Sequence, residues 1–519
     1  MLKPMANLQE RINRLPLSPG IISGLCGIFS FAIRIPFLFR WDLHFGGDSG
    51  TAYLMAQHIL NGDRPLYHYG QDYNVALEAY ASAGLFKLFG PSIPLAASFC
   101  LFEWCVAVSL GVYLLIRGTD KFHGLAGGLL AVVGVPYTLH YIVAPIVGHP
   151  LGVLAGMAIL FQTFYLMKTG PSAFGLFLWG FMVGAGYFLQ KLCVPNIIAS
   201  ILALFLIQTA SWNLRQMKRP FKLALMVLTG VLLGYAPEPL YKLHHPGSDH
   251  LTGIASPWWI LKNGYNVLRS IPAYFDGQPI SRIPEAVYFF IQRVHITPDG
   301  PLDFGFSLLG LGVVIFAFQG LRKSLQEKNV PLFLLSSLIF INMALVVISL
   351  QSGGEFLNAR RYLYPSAIPL SLWTGYFLAS ARPRNFKWLP FGALFLGILF
   401  VSRVAYHEII LFKSPDELRE IRWVISGLKD AGINRGLAHW GHAYIIDALT
   451  DEKIIVAGRD GSRFPEYDQW VTQADHIALI DLKADPIEKR LSFMGSTFVA
   501  EGPPRENETF RWIPYMRIP

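Results

Sequence analysis

Apolar residues run along most of the chain in blocks of about 20, parted by short polar connections, which is the spacing of helices that cross a bilayer. About eleven blocks are legible, near 21–39, 93–116, 124–144, 151–167, 171–190, 195–212, 223–240, 304–321, 330–350, 363–381 and 388–406. Two connections on one side are long, 41–91 and 241–303, and from about 407 the pattern changes character. A helical periodicity over Pro415–Asp430, closed by Gly432, leads to a short strand-like run at Gly436–Trp440 and a helical piece at Tyr444–Leu449. An extended piece at Lys453–Ala457, a buried strand at His476–Asp481 and a helix near Pro486–Leu491 follow. Strands alternating with helices predict a small α/β layer domain. The expected architecture is a polytopic α-helical membrane domain over 1–406, including the external loops 41–91 and 241–303, and an external α/β domain over 407–519.

Composition sharpens this picture. The chain is 53% hydrophobic and 15% charged, whereas soluble chains carry about 25% charged residues. The net charge of +9 would point to nucleic acid in a soluble protein; here it reports topology. Sixteen Lys and Arg fall in about 54 positions of one alternate set of connections, against eleven in about 135 of the other. The positive-inside rule then puts the N-terminus in the cytoplasm and, with an odd number of spans, the tail outside. The first block starts basic like a signal peptide, but Arg34 and Pro36 interrupt its end and no small-residue cleavage site follows, so it reads as an uncleaved anchor. The four cysteines, Cys26, Cys100, Cys105 and Cys193, lie in apolar stretches without metal spacing, which argues against a disulfide framework. Arg34 and Glu103 fall inside expected spans, where a charge costs about 2.5–3.5 kcal/mol on insertion scales; each needs a partner or a polar cavity, and they could pair with each other.

The first external loop carries the richest chemistry. It begins Trp41-Asp42-Leu43-His44-Phe45-Gly46-Gly47-Asp48-Ser49-Gly50, continues through a helical stretch to Asn61-Gly62, and then reads Arg64-Pro65-Leu66-Tyr67-His68-Tyr69-Gly70-Gln71-Asp72-Tyr73. Ala52, Met55 and Ile59 share one helical face, and Tyr53, Ala56 and Leu60 another, a pattern suited to a helix lying in the membrane interface. Asp48, at the start of that helix, suits an N-cap. It can also do chemistry only if its carboxylate still faces a pocket. Asp72 reads as a turn residue beside Gly70, His149 as a helix-start residue, Lys87 as an interfacial anchor, and Trp258-Trp259 as the mark of an interfacial helix.

Taken in order, an acid just after the first span, the Asp48-to-Tyr53 run into a helix, the Arg64-Pro65-Leu66-Tyr67 turn, Tyr69-Gly70-Gln71-Asp72-Tyr73 and the Phe86-Lys87-Leu88-Phe89-Gly90 lead-in to the next span resemble the membrane-embedded glycosyltransferases of the C-type fold. The similarity is to the protein O-mannosyltransferase and aminoarabinose-transferase-like superfamily (glycosyltransferase family 39 and relatives). Arg360-Arg361-Tyr362-Leu363-Tyr364-Pro365 is similar to that family's Arg-Tyr-Leu-x-Pro element, and the tail with Arg463-Phe464-Pro465-Glu466-Tyr467 resembles tails on some bacterial members. The resemblance implies transfer of a sugar from a polyprenyl-phosphate carrier to an envelope glycan, glycolipid or protein acceptor outside the cytoplasm, in the inner membrane, with inversion. By position it implies Asp48 as the base, Arg360, Arg361 and Tyr362 on the lipid phosphate, and Glu78, Tyr69 and Tyr73 lining the substrate pocket. Ser49 stands where many relatives have Glu, and Ala79-Tyr80 replaces part of a Glu-Lys-Pro-Pro element after Glu78, which leaves Glu78 open to a second reading as a solvated loop acid. The link 145–150 lacks the acid that metal-using relatives carry, so no divalent metal and no other cofactor is expected. A multi-pass transporter or flippase and a non-catalytic scaffold of the same fold remain open as alternatives.

Overall fold

The computed structural model describes residues 2–134, 141–145, 148–213, 220–245, 301–349, 362–380 and 418–518, with 260, 262–264, 267, 401, 409, 412–413 and 416 between them. Arg360, Arg361, Trp258, Trp259 and nearly all of the expected span 388–406 lie outside the described residues. The chain divides into two compact units. One comprises Met1–Arg34, Phe102–His140 and His149–Ile409, the other Ile35–Leu101, Tyr141–Gly148 and Ile410–Pro519. The loop over 41–91 thus packs in one unit with the tail.

The first unit is helical. Among the described residues of the whole chain, four helices are long and apolar enough to cross a membrane: Pro19–Leu38, Ile93–Gly118, His149–Thr169 and Val330–Ile348. A fifth is reached if Pro220–Tyr235 and Pro237–His244, bent by 45°, form one span. Other expected spans are shorter apolar helices, such as Lys121–Val133, Ala173–Leu189 and Ala367–Ser380. The expected count of eleven is therefore not established. Apolar composition marks a block, whereas glycine and proline decide where its backbone turns: Gly134, at φ +69°, ends Lys121–Val133, and Pro237 stands at the bend.

Local signals set several helix starts. Ser18 accepts from the Ile21 N–H with Pro19 at the first helical position, Asp120 caps through His123 and Asn329 through Leu332; each satisfies an amide that would otherwise lack a partner. Ala173–Leu189 and Pro220–Tyr235 meet through Gly180, Gly184, Gly230 and Gly234. A Cβ on Gly184 would stand 2.9 Å from the Val231 carbonyl carbon, and one on Gly230 2.7 Å from the Phe181 nitrogen. This is the small-xxx-small spacing that lets helix backbones approach in lipid, where apolar burial does not drive association. Arg34 is fully buried and donates to the carbonyls of Val132 (2.5 Å) and Val133 (2.6 Å) and to Ser30. Carbonyls at the end of Lys121–Val133 thus help to hold the buried cation.

In the second unit the tail forms a mixed sheet. Its strands are β3 (Arg435–Ala438), β4 (Ile455–Gly458), β5 (His476–Leu482), β6 (Arg490–Phe493), β7 (Ser496–Ala500), β8 (Arg505–Glu506) and β9 (Phe510–Ile518), ordered β4-β3-β5-β9-β7-β6 with β8 beside β9. β4, β3 and β5 are parallel and the remainder antiparallel. The helices expected over Pro415–Asp430 and Tyr444–Leu449 appear as Arg419–Asp430 and Trp440–Leu449, and Pro465–Gln473 is a further helix outside those expectations. The helix expected near Pro486–Leu491 does not form. Leu491 lies on β6 opposite Phe498, in a hairpin whose two-residue turn, Met494-Gly495, has positive φ at both positions, the backbone that matches strand twist.

The loop contributes the helix Gly47–Leu60, the hairpin β1 (Tyr67–His68) and β2 (Gln71–Val75), and the helix Leu77–Phe89. Gly47–Leu60 is not an interfacial helix. It is buried over most of its length, and Tyr53, Met55 and Ile59 share one apolar core with Phe86 from the loop and Val424, Leu437 and Tyr444 from the tail. Both of its faces are apolar because both are covered.

Candidate active site

Asp48 is not the helix cap. Gly46 takes that position without a side-chain bond, and Asp48 sits in the first helical turn. The small residues around it have a steric cause. A Cβ on Gly47 would stand 2.8 Å from Gly441 Cα, and one on Gly50 2.7 Å from the carbonyl carbon of Tyr444. The tail helix Trp440–Leu449 therefore lies directly on the turn that carries the acid.

Two donors converge on one carboxylate oxygen of Asp48. Gln71 Nε2 donates to Oδ1 at 3.0 Å and Arg463 Nη2 to the same atom at 3.3 Å. Gln71 is buried at the start of β2, and its Oε1 accepts from Asn74 Nδ2 at 2.5 Å, which orients the amide. The hairpin turn holds Gly70 at φ +65°, left-handed backbone that glycine adopts without strain, and Arg463 Nη1 donates to the Gly70 carbonyl at 2.6 Å. The guanidinium lies over the Trp440 ring, 5.2 Å from its centroid, and the Arg463 main-chain N–H donates to Tyr444 Oη at 2.6 Å. The Asp48 side chain keeps 30% of its surface exposed, and its Oδ2 has no hydrogen-bond partner among the described residues. A carboxylate with one oxygen held and the other open is arranged to take a proton from a bound hydroxyl.

Around this centre, His68 on β1 is fully buried; burial first, and the nearby Arg463 charge second, push its imidazole down to about 3, so it stays neutral. Glu78 is also buried, which rules out the solvated-acid reading. Its Oε1 accepts the Gly148 N–H at 2.6 Å, and burial pushes its carboxyl up to about 8 although that hydrogen bond opposes the shift. Tyr69 Oη donates to Asp63 at 2.5 Å, and its ring packs edge-on against Phe464. Tyr73 and Asp72 lie half-buried on β2, and Tyr362 is half-buried where the described chain resumes. His149 opens the helix His149–Thr169, as expected. Within this unit the Glu78 carboxylate and the Cys100 thiol approach within 4.8 Å.

At the far end of the loop helix, His58 Nε2 meets Glu452 at 2.7 Å, and Tyr53 and Gln57 both donate to Asp451 at 3.3 Å. Burial alone would lower His58, but the Glu452 hydrogen bond and charge, with Asp63 and Glu466, leave it raised. Arg463 and Gln71 both stand inside stretches that carried the family resemblance, yet neither suggests this role from sequence, because their meeting at Asp48 joins positions 415 residues apart.

No family model and no curated protein matches the sequence. Among solved structures, the fold is similar to ArnT from Cupriavidus metallidurans bound to undecaprenyl phosphate, with a TM-score of 0.56 and 11% identity over 94% of this chain and 97% of that one. It is also similar to the archaeal oligosaccharyltransferase AglB from Archaeoglobus fulgidus in complex with an inhibitory peptide and a dolichol-phosphate, with a TM-score of 0.51 and 10% identity over 88% of this chain and 69% of that one. At such identities the likeness is one of fold: the chain has the architecture of the C-type membrane glycosyltransferases.

Proposed function

We propose that the protein is an integral-membrane glycosyltransferase that moves a sugar from a polyprenyl-phosphate carrier to an envelope acceptor on the non-cytoplasmic face of the inner membrane. One observation carries the reading: in a fold shared with membrane glycosyltransferases, the acid that follows the first apolar helix is held by one oxygen and open at the other. In the reaction the acceptor hydroxyl oxygen attacks the anomeric carbon and its proton passes to Asp48. The bond from that carbon to the phosphate oxygen breaks, and the polyprenyl phosphate leaves with the electron pair. Direct displacement inverts the anomeric centre. A general base is worth about 10²–10⁴ in rate. Arg360 and Arg361, with Tyr362, hold the departing phosphate through charge-assisted hydrogen bonds. Tyr73 and Tyr69 line the substrate side of the loop, and Glu78 fixes the start of Leu77–Phe89 through Gly148. No divalent metal is required.

The test compares envelope glycans and glycolipids by mass spectrometry between cells carrying wild-type protein and cells carrying Asp48→Ala at matched membrane levels. Loss of one sugar unit from a single envelope species is expected. An unchanged glycan profile, together with an unchanged pool of sugar-loaded carrier lipid, would refute the reading.

A further inference from the structure

We infer that Arg463 of the C-terminal domain is a positioning residue for Asp48, so that the tail completes the catalytic centre and is more than a cap or a binding appendage. The inference rests on the base role proposed above for Asp48. The guanidinium spans two acceptors, the Gly70 carbonyl at 2.6 Å and Asp48 Oδ1 at 3.3 Å, and so ties the hairpin turn and the acid to one rigid plane. It is itself anchored, by the Trp440 ring beneath it and by its own N–H on Tyr444 Oη. Only 17% of its side-chain surface is exposed.

The choice of oxygen is the telling feature. Gln71 and Arg463 both take Oδ1, which restrains the carboxylate and leaves Oδ2 without a hydrogen-bond partner among the described residues. A half-exposed aspartate without that clasp samples several rotamers, and in few of them does an oxygen point at a bound hydroxyl. Docking of the tail does not explain Arg463. The apolar core shared with the loop, together with the His58–Glu452 and Tyr53–Asp451 contacts, holds the tail helix on the loop helix without it. The glycines at 47 and 50 bring the two helices into backbone contact at the turn bearing Asp48, and the Trp440 and Tyr444 side chains of the tail helix anchor the arginine there. Lysine cannot reproduce the clasp, because a single ammonium does not span two acceptors in one plane.

The experiment follows, at matched membrane levels, the rate at which the envelope species that loses its sugar in Asp48→Ala cells accumulates. The variants are Arg463→Ala, Arg463→Lys and Glu452→Gln, and tail docking is read separately as resistance of the purified full-length proteins to limited proteolysis. Misplacing a catalytic group by about 1 Å costs on the order of a hundredfold, so Arg463→Ala should slow accumulation by roughly ten- to a hundredfold with the tail still protected. Arg463→Lys should fall between it and wild type, and Glu452→Gln should stay within about twofold of wild type. If Asp48→Ala abolishes the product while Arg463→Ala matches wild type, the inference fails and the function stands. It fails equally if Glu452→Gln exposes the tail and slows the reaction as much as Arg463→Ala, since docking alone would then account for the effect. An Asp48→Ala protein that leaves every glycan unchanged removes both.

Discussion

Gly50→Ala adds one methyl group to the loop helix at the point where the tail helix rests on it. The new Cβ would stand 2.7 Å from the carbonyl carbon of Tyr444 and 3.2 Å from the nitrogen of Ile445, short of the 3.4 Å at which contact becomes ordinary by about 0.7 and 0.2 Å. Both obstacles are backbone, so no rotamer change can relieve them and the helices must separate. Overpacking of this kind costs about 1–3 kcal/mol, and rigid obstacles place it at the upper end. Alanine returns about 1 kcal/mol as the better helix former, leaving a net loss of about 2 kcal/mol. Gly84 supplies the control. It sits in the helix Leu77–Phe89 of the same unit, and a Cβ there meets nothing within 4 Å, so Gly84→Ala should gain about 1 kcal/mol. The two substitutions, identical in chemistry, should differ by about 3 kcal/mol in unfolding free energy, or a little over a hundredfold in the unfolded population. Limited proteolysis of the detergent-solubilised protein reads that population when opening is fast relative to cleavage. Equal cleavage rates for Gly50→Ala and wild type would mean that the two helices do not make this contact.

Two further outcomes follow from the same geometry. Glu78 has its folded carboxyl pushed up to about 8 from an ordinary 4.5, so the folded state holds a proton that the unfolded chain releases; stability should fall as pH rises from about 4.5 to 8. Glu78→Gln, which can still accept the Gly148 N–H, should flatten that part of a thermal-midpoint profile, and a profile unchanged by the substitution would refute the burial argument. Gly184→Leu should remove most protein from the folded membrane fraction, because its Cβ meets the Val231 and Tyr235 backbone at 2.9 and 3.0 Å. Gly24→Leu, with nothing within 4 Å, should be tolerated; equal loss of both would argue against close approach of the two helices.

Much of the architecture is legible in one dimension because it rests on local properties. Apolar blocks of bilayer length and the deficit of charge belong to the helical part. Alternation around 435–482 belongs to the parallel half of the tail sheet. The motifs of the first loop led to the C-type glycosyltransferase fold that the solved structures share. Caps at Ser18, Asp120 and Asn329 are equally local, each acting on an amide three residues on.

What the sequence could not decide is where covered surfaces meet. An apolar stripe on 47–60 looks the same whether lipid or protein covers it, and only tertiary packing shows that the tail does. Residues 486–491 favour helix or strand according to their partner, and pairing of β6 with β7 makes Arg490 and Leu491 strand, with 486–489 irregular before them. The site is the sharpest case. Asp48 is visible as an acid in a suggestive loop, but its orientation depends on Gln71, 23 residues away, and on Arg463, 415 residues away. No local propensity encodes that meeting. It exists because glycines at 47 and 50 let a helix from the tail reach the backbone beside the acid, and because side-chain geometry at a catalytic centre is set by whatever packs around it.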